Sequence, residues 1–80
     1  MTKNDFRKEL VKKNIPADFY SLDGGLPNEA HCLNQIVNGW EVYYSERGQK
    51  TGLKIFKTEV EACDYFYQSF LEVLKDMNLL

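Results

Sequence analysis

The sequence predicts an α+β domain in the order α-β-β-β-α, a three-stranded antiparallel meander with both helices on one face. Three features predict it: apolar residues at helical spacing near both ends, an alternating pattern around Asn38-Gly39, and a helix-cap signal at Thr58. The 80 residues suit a single small domain spanning 1–80. With 44% hydrophobic and 28% charged residues, the chain has too much apolar material to stay disordered. A domain this small buries only about 60% of its unfolded surface. Five Phe, five Tyr and one Trp must therefore supply much of the core.

The first helix starts from a cap at Thr2 or Asn4, with Asp5 in its first turn. Phe6, Leu10 and Val11 form its apolar side, and Pro16 stops it near Asn14 by disfavouring helix at Ile15. A brief extended piece over 19–22 leads into Asp23-Gly24-Gly25-Leu26-Pro27-Asn28, which is dense in turn formers and reads as a loop. Segments 30–37 and 40–45 flank Asn38-Gly39, the dipeptide favoured in two-residue type I′ hairpins. That turn pairs Val37 with Trp40, Gln35 with Val42, Leu33 with Tyr44 and His31 with Glu46. Alternation then assigns Leu33, Val37, Trp40, Val42 and Tyr44 to the core face. The reverse face receives Cys32, Asn34, Ile36, Glu41, Tyr43 and Ser45. A loop through Gly48 and Gly52 precedes a third strand at 53–56. Thr58 with Glu61 three residues later has capping-box form. The helix beyond it aligns Val60, Cys63, Tyr67, Phe70, Leu71 and Leu74, a stripe widened by Tyr65 and Phe66.

Few residues offer chemistry. Cys32 and Cys63 have no metal-ligand spacing and are expected to be buried, reduced thiols. The single histidine, His31, reads as a surface or edge residue opposite Glu46, and so small a domain leaves little room for a pocket. No phosphate loop, EF-hand or zinc pattern occurs, so neither cofactor nor metal is expected, and the chain is not expected to be an enzyme. No apolar run reaches the ~20 residues of a membrane span. The opening MTKNDFRKEL lacks the apolar stretch of a signal peptide, which predicts a soluble, cytoplasmic protein without membrane contact.

The net charge of −2 conceals a banded distribution. Residues 14–46 contain Asp18, Asp23, Glu29, Glu41 and Glu46 and no Lys or Arg, whereas 47–57 contain Arg47, Lys50, Lys54, Lys57 and no acid. Nucleic acid is one partner to weigh, since the double-stranded RNA-binding domain shares this element order. Its second helix begins with basic residues that grip phosphates, but Glu59, Glu61 and Asp64 here repel them. A single strand stacked on Tyr43, its backbone following Arg47, Lys50, Lys54 and Lys57, is the alternative reading. An isoelectric point near 5.3 disfavours it.

A protein partner fits the residues better. Tyr, Trp and Arg are enriched at interface hot spots, and the run 40–48 places them on and beside the hairpin. If Trp40, Val42 and Tyr44 face the core, then Glu41, Tyr43, Ser45 and Arg47 face out. The expected contact surface is Asp23, Glu29, Glu41, Tyr43, Glu46 and Arg47. Three stretches carry a resemblance: Leu22-Asp23-Gly24-Gly25, WEVYYSERG at 40–48, and E-x-E-A-C-x-Y-F over 59–66. Together, residues 19–70 resemble small bacterial immunity proteins of polymorphic or contact-dependent toxin systems. The resemblance implies a stoichiometric inhibitor that occludes the active site of a cognate protein toxin. An acidic inhibitor suits a toxin nuclease, whose own site must attract phosphate. The sequence leaves monomer and homodimer both open.

Overall fold

The computed structural model describes residues 1–79. The chain is α+β, with two helices and a four-stranded mixed sheet. Helix α1 (Lys3–Lys12) starts at Thr2, whose hydroxyl accepts from the Asp5 N–H while the Asp5 carboxylate accepts from the Thr2 N–H, a complete capping box. Its other end is a Schellman motif: the Ile15 N–H donates to the Leu10 carbonyl and the Asn14 N–H to the Val11 carbonyl. Asn14 accordingly sits at φ 58°, a conformation that Asn tolerates better than most residues. Phe6 and Leu10 enter the core as expected, but Val11 is exposed.

A 3₁₀ turn (Ala17–Phe19) leads to β1 (Tyr20–Ser21), followed by β2 (Ala30–Ile36), β3 (Gly39–Glu46) and β4 (Gln49–Phe56), then α2 (Glu59–Asp76). The sheet order is β1-β2-β3-β4. β1 pairs in parallel with β2, so the sheet is mixed and has one strand more than expected. β1 lies within the extended piece expected over 19–22; its parallel pairing with β2 is long-range, so the sequence carries no local signal for that pairing.

The first hairpin differs from expectation in register. Ile36 pairs with Gly39, Gln35 with Trp40, Leu33 with Val42 and His31 with Tyr44, which makes Val37 and Asn38 the turn. Neither turn residue has positive φ, and nor does Gly39. Gly39 is needed for another reason: a Cβ there would lie 2.4 Å from the backbone oxygen of Phe56. The type I′ turn occurs instead in the second hairpin, at Arg47 (φ 51°) and Gly48 (φ 74°). The register moves by two residues, an even step, so Leu33, Trp40, Val42 and Tyr44 keep the face assigned to them. Val37 leaves the strand and stands 97% exposed at the tip.

α2 packs across β2, β3 and β4, and α1 packs against α2. Phe6 and Leu10 join Leu33, Val42, Ala62, Cys63, Phe66, Phe70 and Leu74 in one core. The Phe6 and Phe66 rings meet edge-on at 4.8 Å, and Phe66 meets Phe70 at 5.6 Å. Thr58 caps α2 by accepting from the Glu61 N–H. Its hydroxyl donates to the Glu61 carboxylate, in place of the reciprocal bond of a capping box. Val60, expected in the stripe, is exposed, and Ala62 is buried instead. Among the described residues no helix is long and apolar enough to cross a membrane.

Candidate functional site

The expected contact residues fall into three groups. Glu41 and Tyr43, expected to face outward, are buried at 6% and 2% exposure. Tyr43 is covered by the loop over 22–29, which folds across the reverse face of the sheet; Glu41 is enclosed by Asn34 and Lys50. The Gly24 N–H donates to the Leu33 carbonyl, and the Tyr43 hydroxyl donates to the Gly25 carbonyl at 2.7 Å. Only glycine permits this approach: Gly24 has φ 75°, and a Cβ there would meet the Asn34 side chain at 2.3 Å. On the same face, the Glu41 carboxylate accepts from Lys50 Nζ at 2.7 Å and Asn34 Nδ2 at 3.0 Å. Lys50 also lies over the Tyr43 ring, 4.6 Å from its centroid. Burial by itself would raise the Glu41 carboxyl, but the Lys50 and Asn34 bonds outweigh it and hold the group below its ordinary value. Burial, with Cys32 and Glu41 nearby, pushes the Tyr43 hydroxyl up to about 12. These residues form a structural network.

Asp23 is exposed but engaged with α1. Lys3 Nζ lies at 2.7 Å and the Arg7 guanidinium at 3.4 Å from its two oxygens, and the Lys3 bond is the main cause of its lowered pKa. It thus ties the loop to α1.

Glu29, Glu46 and Arg47 form the third group, and all are exposed. Ala30 pairs with Ser45, which brings Glu29 beside Glu46 at the end of the sheet. The Arg47 N–H donates to Asn28 Oδ1 at 3.4 Å, joining the second hairpin's tip to the same loop. Three of the six expected contact residues therefore share one end of the fold.

The basic residues do not make a continuous track. A β-bulge sets Gly52 and Leu53 opposite the single residue Tyr43. An unbroken strand would put Lys50 and Lys54 on the same face; the bulge reverses the alternation between them. Lys50 reaches Glu41 on the reverse face, while Lys54 lies over the Tyr65 ring on the helix face at 5.8 Å. Lys57 is exposed beyond the strand.

Next to Glu29 the structure contains a feature not expected from the sequence: a cleft of about 310 Å³ lined by Phe19, Glu29, His31, Tyr44, Phe70, Val73 and Met77. His31 is half-buried and faces Tyr44 across the strands, not Glu46. Its ring lies 4.8 Å from that of Tyr44 and 5.2 Å from that of Phe70. Burial lowers the His31 pKa, so the imidazole is neutral at pH 7. The Tyr44 hydroxyl is raised, first by burial and then by the Glu29 and Glu46 carboxylates. His31 and Leu33 are two apart and share a strand face, a signal already present in the alternation.

Cys32 and Cys63 are free and buried. Burial raises both thiols, Cys63 to about 11, which makes them weak nucleophiles at neutral pH. Comparison of the chain with protein-family models, with curated proteins and with solved structures gave no match in any of the three.

Proposed function

We propose that this protein is a non-enzymatic binding domain of the immunity type, which neutralises a cognate protein toxin by occluding its active site. The grouping of Glu29, Glu46 and Arg47 at one end of the sheet carries this reading. The acidic band over 14–46 supports it, because long-range attraction steers a basic partner toward such a surface. Tyr43 and Asp23 support the contact surface from within the fold, holding the loop that presents Glu29.

Reversing both exposed carboxylates, E29K together with E46K, tests the choice of surface. Affinity for the toxin is expected to fall roughly tenfold or more, mainly through slower association at low salt. Thermal melting is expected to change little, since both side chains are exposed. Unchanged affinity in the double variant would contradict this surface.

A further inference from the structure

We propose that the cleft between β2, β3 and the last turns of α2 receives an arginine side chain of the protein partner. The inference rests on the binding function proposed above and assigns that function a specific seat. Four rings, Phe19, His31, Tyr44 and Phe70, contribute to its wall, and Val73 and Met77 complete the apolar lining. Glu29 is the charged residue in the lining, and no Lys or Arg among the described residues joins it. Glu46 adds a second negative charge near Tyr44. An aromatic slot with a carboxylate at its margin suits an organic cation, which gains from ring faces and from the anion together.

Charge separates the possible occupants. A purely apolar side chain would fill the walls but desolvate Glu29 without compensation. A lysine ammonium is strongly hydrated and loses more on entry, whereas a guanidinium is weakly hydrated, stacks flat on rings and pairs with a carboxylate through two bonds. The neutral state of His31 at pH 7 keeps a competing cation out of the slot. Of the chain's own arginines, Arg7 is paired with Asp23, and Arg47 lies at the hairpin tip.

The test uses the full chain and N-acetyl-L-arginine N-methylamide as probe, followed by NMR at low ionic strength. The proposal predicts saturable shifts at Phe19, His31, Tyr44 and Phe70, absent with the uncharged citrulline counterpart. E29Q is expected to weaken binding roughly three- to fivefold, the scale of one exposed ion pair. Y44F, which keeps the ring, is expected to bind as well as wild type. No shift at these residues, equal shifts with citrulline, or unchanged affinity in E29Q would overturn the proposal. Cleft shifts that vary with protein concentration in the absence of probe would instead assign the seat to Arg47 of a second copy. Toxin capture sensitive to E29K/E46K, combined with an indifferent probe, would sink the arginine seat alone. Probe binding without any partner would sink the immunity function alone.

Discussion

Glu41 shows how the environment decides what a charged residue does. In sequence it belongs to an acidic band; in the fold its carboxylate is 8% exposed and held by Lys50 and Asn34. Removing the lysine leaves a buried charge with one neutral partner. K50M is therefore expected to cost about 1–3 kcal/mol in urea unfolding, discounted because Lys50 itself is partly exposed. E41Q combined with K50M is expected to cost less than the sum of the single changes. An additive result would mean that the pair is not coupled. The Glu41 pKa is lowered in the folded state, so its stabilisation is present above the ordinary carboxylate pKa and disappears as pH falls through the folded value. His31 acts in a separate window. Burial depresses its folded pKa, so between that value and about 6.5 the unfolded chain binds more protons. Stability should rise with pH across this interval, and H31Q should flatten the slope. Equal slopes in wild type and H31Q would refute the buried, neutral imidazole.

At the scale of elements, the first hairpin separates two roles of glycine that a dipeptide signal confuses. Gly39 is required by the close Phe56 carbonyl, not by a turn with positive φ. G39A is thus expected to destabilise by about 2 kcal/mol or more, because backbone must move. N38A, in the turn, should change stability by less than about 0.5 kcal/mol. The reverse ranking in thermal or urea unfolding would restore Asn38-Gly39 as the turn. Both helices were legible because their determinants are local: Thr2 with Asp5, Thr58 with Glu61, and apolar residues at helical spacing. The faces of β2 and β3 follow from alternation in either register, because the two registers differ by an even step. The parallel pairing of β1, the extension of β4 back to Gln49 and the bulge at Gly52-Leu53 were not legible, since each depends on a distant partner. The site followed the same division. Glu29, Glu46 and Arg47 of the expected surface are exposed, while the burial of Tyr43 depended on where the loop over 22–29 would settle and that of Glu41 on its Asn34 and Lys50 partners.

For the molecule as a whole, charge and apolar surface are distributed by the sheet's two sides and two ends. α2 covers one face, the loop covers part of the other, and the carboxylates of Glu29 and Glu46 stand by the aromatic cleft. β4 remains an edge, but it carries a bulge and lysines, both of which oppose strand addition. The acidic end is the surface that the proposed function assigns to a protein partner. The most direct measurement is quantitative capture from the native host by the tagged chain, run in parallel with E29K/E46K and with K54E/K57E. The account predicts one basic, toxin-bearing protein recovered in stoichiometric amount by wild type and by K54E/K57E, and lost with E29K/E46K. Recovery of no such protein, or equal recovery by all three, would contradict it.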